Sequence, residues 1–216
     1  MSFNLTFLGT GTSQGIPVIG SDHPVCKSDD PRDKRLRSSV LISWENGNIV
    51  IDCGPDFRQQ ILRNPVDHLD AVLLTHEHAD HTMGLDDIRP FFFRQGDIHF
   101  YASSRVFSAL SKRFDYIFDP NFKYPGIPEI TQHVIEKNQQ FQIKDLSVLP
   151  VEVDHAGMPV FGFRMQDLAY VTDIKSITSD QKELIMDCEV LVLNALRHEP
   201  HHSHLSLNEA IALAHE

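Results

Sequence analysis

The chain has 216 residues, enough to bury a sizeable core, and its 41% hydrophobic and 23% charged content is that of a globular protein, for which we expect a single domain. No run approaches the roughly 18 uninterrupted apolar residues of a membrane span, and Met1-Ser2-Phe3-Asn4-Leu5 lacks the basic region and apolar core of a secretion signal. A net charge of −11 argues against a surface built for nucleic-acid phosphates, and three scattered cysteines, Cys26, Cys53 and Cys188, exclude a disulfide framework, so reduced thiols and a cytoplasmic location are the expectation.

Phe3 to Leu8 alternates as a strand and runs into Gly9-Thr10-Gly11-Thr12-Ser13-Gln14-Gly15, a small-residue loop where backbone can approach a ligand or another loop. It is not a dinucleotide fingerprint, because the third glycine falls one residue late for GxGxxG and Ile16-Pro17-Val18 replaces a helix pattern. The basic cluster Arg32 to Arg37, with Lys34 and Arg35, reads as a solvated loop. Two strands follow, Ser39 to Trp44 and Asn48 to Asp52, joined by a hairpin at Asn46-Gly47. A helix from about Phe57 to Arg63 leads to the apolar run Ala71-Val72-Leu73-Leu74, a buried strand. Gly84 to Phe93 gives a short helix and an aromatic cluster. Ile98 to Tyr101 is a strand, Ser104 to Phe114 a helix, and Asp115 to Pro128 a long irregular connection of the kind that forms lids. Phe141 to Val153, Phe161 to Met165, Ala169 to Thr172 and Glu189 to Leu193 read as strands. Ser179 to Met186 reads as a helix, and Ser206 to His215 as another opened by the capping box Ser206-Leu207-Asn208-Glu209. Strands in each half with helices between them suit an α/β arrangement of two sheets packed face to face with helices outside.

The chemistry is concentrated in Thr75-His76-Glu77-His78-Ala79-Asp80-His81, which sets four metal-ligand side chains within six residues at the end of the Ala71 strand. In an extended segment His76, His78 and Asp80 share one face and His81 turns elsewhere, so two ligand directions suit two adjacent ions. Imidazole with carboxylate takes Zn, Mn or Fe, and paired ions of this kind hydrolyse phosphate and amide bonds. The metalloprotease pattern HExxH fails, since Asp80 stands four residues after His76. Asp52, at the turn Asp52-Cys53-Gly54-Pro55, either orients this loop or serves the turn, and the two readings weigh equally. His155 and Asp173 stand at two later strand ends.

The order HxHxDH, His155, Asp173 resembles the metallo-β-lactamase superfamily, whose fold is a four-layer αββα sandwich. Within it, the likeness is strongest to PhnP-type phosphodiesterases, with tRNase Z more distant. It is carried by Gly9 to Gly15, Ile51-Asp-Cys-Gly-Pro-Asp-Phe-Arg58, the HxHxDH loop with Gly84-Leu-Asp-Asp-Ile-Arg89, Phe161-Gly-Phe-Arg164 and His204-Leu-Ser206. The resemblance implies a hydrolase with two divalent metal ions, Zn or Mn with Fe as a third option. His76, His78 and His155 would hold the first ion, Asp80 and His81 the second, and Asp173 would bridge them. Asp80 would also take the proton of the attacking water, and His204 would meet the phosphate or protonate the leaving oxygen. His198, His201 and His202 read equally as a polar loop or as binding groups. The expected substrate is a small phosphate ester, with a cyclic ribose phosphate in view. A tRNase Z-like ribonuclease and a metal-stabilised non-catalytic binding protein are the alternatives. No membrane partner is expected; a homodimer and a nucleic-acid partner stay open, the latter disfavoured by the acidic balance.

Two departures bear on this. Where the family carries an extra zinc on CxCxxC, this chain has Ser21, His23 and Cys26, so no structural zinc is expected there, although His23 and Cys26 are suitable ligand types. The family also ends with one more strand and a Thr-His motif completing the second metal site, whereas this sequence stops at Ala214-His215-Glu216. The expectation is a carboxy-terminally shortened form, or else a weakly held second ion.

Overall fold

The computed structural model describes residues 2–119, 121 and 124–216, which divide into two compact units, residues 1–134 and 135–216. In the first, the elements run β1 Phe3–Gly9, α1 Pro24–Lys27, β2 Ser39–Trp44, β3 Gly47–Ile51, α2 Phe57–Arg63, β4 Ala71–Leu73, α3 Ala79–Thr82, α4 Arg89–Gln95, β5 Ile98–Ala102, α5 Ser104–Arg113, α6 Asp115–Phe118 and β6 Ile130–Val134. The six strands form one sheet in the order β1-β2-β3-β4-β5-β6. It is antiparallel through β3, where the hairpin pairs Trp44 with Gly47, and parallel from β3 to β6. Parallel strands need crossovers, and α2, α4 and α5 lie in the three connections.

Alternation decides the core. Ile98, Phe100 and Ala102 of β5 are buried with Val72 of β4, Val50 of β3 and the inner face of α5, Val106, Phe107 and Leu110. A side chain such as Phe100, withdrawn fully from water, contributes about 1.5–3 kcal/mol. Within the aromatic triplet, Phe91 is core and stacks at a tilt on Phe57, Phe92 is partly covered and Phe93 is exposed. The Gly9–Gly15 loop approaches another loop, with Gly11 N–H donating to Leu36 O at 2.7 Å and Ile16 N–H to Arg35 O at 2.8 Å. A Cβ on Gly9 would lie 2.0 Å from Arg37 O, which is why glycine stands there. Arg37, in the segment expected to be a solvated loop, ion-pairs with Asp56 at 3.0 Å and donates to Ser13 O.

The second unit holds β7 Phe141–Ile143, β8 Leu146–His155, β9 Met158–Met165, β10 Leu168–Val171, α7 Ser179–Glu183, β11 Val190–Leu193 and α8 Leu207–His215, with a five-stranded sheet in the order β11-β10-β9-β8-β7. Its strands are antiparallel except β10 with β11, which run parallel with α7 between them. Val153, Val160, Val171, Ile174, Leu205 and Ala210 form its main apolar cluster. The capping box is complete: Ser206 Oγ accepts Glu209 N–H and Glu209 accepts Ser206 N–H.

Three expectations need correction. Phe141 to Val153 is not one strand but a hairpin, turned at Lys144, whose φ is 52°. β6 was not foreseen. Ile130-Thr-Gln-His-Val134 is a half-exposed edge strand without an apolar run, and its pairing with β5 from Ile98↔Ile130 to Ala102↔Val134 is what makes it a strand. The 115–128 connection contains α6, while the part of it at 120, 122 and 123 lies outside the described residues.

Candidate functional site

In the first unit, the buried strand β4 delivers the ligand loop. Leu74 N–H still bonds Tyr101 O at 2.9 Å; beyond it the chain leaves the sheet. The loop is extended only as far as His78. Asp80 and His81 lie in α3, whose N-cap is His78, so Asp80 does not continue the alternation of His76 and His78. α3 turns His81 so that its ring comes to lie beside that of His76 rather than away from it. His76 Nε2 lies 3.0 Å from His78 Nδ1, and His81 Nε2 lies 3.3 Å from Asp80 Oδ2. His76 and His81 are buried with rings 4.2 Å apart, while His78 is exposed.

Asp52 is settled by its partners. It is fully buried at the end of β3 with φ 64°, a left-handed conformation that a short polar side chain tolerates. Its carboxylate accepts Thr75 N–H at 2.9 Å and Thr75 Oγ1 at 2.9 Å, and Oδ2 lies 2.6 Å from His81 Nδ1. This fixes the His81 ring so that Nε2 is the nitrogen that could ligate an ion. Burial pushes the Asp52 carboxyl up from the usual carboxylate range, and the bonds from His81 and Thr75 pull it back. A cation on the Nε2 side would favour its ionised form. Next to it, burial raises the Cys53 thiol, which stays neutral.

The Ile51–Arg58 motif backs the same loop. Cys53 N–H donates to His81 O at 2.9 Å and Gly84 N–H to Cys53 O at 2.8 Å. A Cβ on Gly54 would lie 1.9 Å from Asp80 O, so this close approach requires glycine.

In the second unit, β8 ends at His155 and β10 is followed by Asp173, which has φ 53°. His155 Nδ1 lies 2.7 Å from the Ser203 carbonyl, so that Nε2 is the atom that could ligate an ion. Asp173 Oδ1 lies 3.2 Å from His204 Nδ1, and one ligand atom from each of His155, Asp173 and His204 falls within 4.8 Å of the others. Two imidazoles and a carboxylate at that spacing have the donor types and the reach for one divalent ion. The turn after Asp173 is held by Asn194, whose Oδ1 accepts Ile174 N–H at 2.8 Å.

His201 accepts Ser203 N–H at 3.3 Å and packs at a tilt against His202 with ring centroids 4.4 Å apart, so part of the late histidine cluster supports the turn that presents the Ser203 carbonyl. Thr75, Ser203 and Asn194 were missed in the sequence; only backbone and side-chain bonds formed on folding reveal them. At the amino-terminal loop, His23 Nδ1 accepts Val25 N–H as the cap of α1, and Cys26 Sγ accepts Val18 N–H.

A family model described as beta-lactamase superfamily domain matches residues 47–216. The chain belongs to the metallo-β-lactamase superfamily. A crystal structure of a diphosphatase from the PhnP family superposes with a TM-score of 0.91 at 36% identity, covering 100% of this chain and 82% of that one. Human tRNase Z, short form, gives a TM-score of 0.65 at 17% identity over 99% of this chain and 88% of that one, a likeness of fold alone. An octanoyltransferase of Porphyromonas gingivalis is 41% identical over 206 residues, 94% of this chain but 42% of that protein. The chain thus spans less than half of that relative, whose named activity belongs to the longer whole. Among the described residues, no helix is long and apolar enough to cross a membrane.

Proposed function

We propose that the chain is a cytoplasmic metal-dependent phosphodiesterase acting on a small phosphate ester, with a cyclic ribose phosphate as one candidate. The observation that carries this reading is the donor set, histidine with aspartate at HxHxDH and again at His155 and Asp173 with His204 beside them, in a chain that resembles a PhnP-family diphosphatase over most of its length. The ligand assignment follows the family order: His76, His78 and His155 for the first ion, Asp80 and His81 for the second, Asp173 for both. Zinc, manganese or iron bound by such residues supplies the positive charge that polarises a phosphoryl oxygen and activates water.

The chain's own side chains do the rest. Asp80 takes up the water proton. His204, its ring oriented by the contact between Nδ1 and Asp173 Oδ1, gives a proton to the departing alkoxide. Asp52 and the Ser203 carbonyl hold the His81 and His155 rings in the ligating tautomer.

The test is elemental analysis of the purified chain after loading with zinc or manganese, paired with hydrolysis of bis(p-nitrophenyl) phosphate. His76→Ala and Asp173→Asn are expected to lose metal and turnover together. His204→Ala is expected to keep its metal and lose turnover by about 10²–10⁴-fold. Full activity in His204→Ala refutes its role as proton donor, and loss of metal makes it a ligand instead. Preferential cleavage of structured RNA, with strong salt dependence, would replace the small ester by a nucleic-acid substrate.

A further inference from the structure

The exposed ligand of the first unit poses a question that the buried ones do not: what holds His78? His76 and His81 are fixed by packing and by Thr75 and Asp52. His78 is exposed; its ring meets that of His76, with Nδ1 3.0 Å from His76 Nε2, and the place from which that ring is presented is set by its backbone. Both peptide groups that flank it are tied. The Glu77 carbonyl, which precedes His78, accepts a hydrogen bond from Arg113 Nη1. The His78 carbonyl accepts Thr82 Oγ1–H at 2.9 Å and His81 N–H at 3.1 Å. Arg113 Nη1 also reaches Thr82 Oγ1 at 3.4 Å, so the two anchors are one network. Pinning both peptide planes fixes φ and ψ of the residue between them, and with them the direction of its Cβ.

The helix that carries Arg113 is firmly placed. α5 is capped by Ser103, whose Oγ accepts Val106 N–H at 3.3 Å, and buries Val106, Phe107 and Leu110 in the core. From its first turn, Arg105 Nη2 lies 3.0 Å from Glu77 Oε2. That oxygen makes no aligned hydrogen bond, so the pair contributes charge rather than direction.

We propose that Arg113, acting with Thr82, is a positioning residue that sets the ligating direction of His78, and that Arg105 assists by holding Glu77. The inference rests on the metal-dependent reading above. Arg113 is exposed, so its replacement should not disturb the apo fold, while the ligand loop should lose its preorganisation.

The experiment is zinc affinity by chelator competition, with the cobalt absorption spectrum as a report on coordination geometry and apo thermal melting as the structural control. The full chain is used as wild type, Arg113→Ala, Arg113→Lys, Thr82→Val and Arg105→Lys. Arg113→Ala and Thr82→Val are expected to weaken zinc by about 10–100-fold and to alter the cobalt spectrum, with apo melting close to wild type for the exposed Arg113→Ala and lowered for Thr82→Val, whose side chain is buried. Arg113→Lys, which restores one donor, is expected to recover most of the affinity, and Arg105→Lys to stay near wild type. Unchanged zinc affinity in both Arg113→Ala and Thr82→Val overturns the proposal. So does a loss of affinity that tracks a fall in apo melting and that lysine does not rescue. A wild-type chain that takes up no zinc overturns the metal-dependent reading itself, and this inference with it.

Discussion

Replacing Asp52 by asparagine tests the connection between fold and ligand loop most sharply. The carboxylate serves three donors through two oxygens: Thr75 N–H and Thr75 Oγ1–H at 2.9 Å each, and His81 Nδ1 at 2.6 Å. An amide keeps the volume but turns one oxygen into an NH2 group. Either Thr75 N–H or His81 Nδ1 then faces a donor, in a site with no exposure to water. A charge-assisted hydrogen bond lost in this way costs about 1.5–3 kcal/mol, and removing the outer partner of a ligating histidine lowers metal affinity about 10–100-fold. Those two figures agree, because a 10–100-fold loss is about 1.4–2.7 kcal/mol. The assay is zinc affinity by chelator competition, together with denaturant unfolding of the apo protein. Asp52→Asn is expected to bind zinc at least tenfold more weakly. Wild-type affinity in a folded Asp52→Asn protein would refute the reasoning and leave Asp52 as a turn residue only.

Gly54→Ala sets a Cβ 1.9 Å from the Asp80 carbonyl, so backbone must move; an apo stability loss of about 1–3 kcal/mol and reduced metal content are expected by urea unfolding and elemental analysis. Glu209, hydrogen-bonded first by Lys175 and then by Ser206, has its carboxyl pulled from the ordinary 4.5 down to about 2. A depressed carboxyl contributes stability above its unfolded value and loses it as pH falls, so the melting-temperature advantage of wild type over Glu209→Gln should be full above pH 4.5 and vanish by about pH 2. An advantage independent of pH would mean that Glu209 acts through helix packing instead.

Much of the candidate donor set was legible because its chemistry is local. HxHxDH declares itself by residue type and spacing, and the apolar run before it and the capping box of α8 follow from periodicity and from one side chain's reach. His155 and Asp173 were weaker as single residues and gained meaning from their order along the chain. The full extent of the extended loop was misjudged, since α3 begins at Ala79 and nothing in Ala79-Asp80-His81-Thr82 distinguishes a helical turn from continued extension.

By itself, then, the sequence determined which side chains are candidate donors, most strand positions and the two-sheet class, all of which depend on neighbours a few residues apart. Tertiary structure decided what those neighbours cannot. It made β6 a strand by offering β5 as its partner, and it split residues 141–155 into a hairpin. It also resolved Asp52 in favour of orienting His81, gave Ser203 to His155 and gave Arg113 to the Glu77 carbonyl. These contacts join residues 29 to 48 positions apart, and a hydrogen bond has no signature in sequence until folding brings its two ends within about 3 Å.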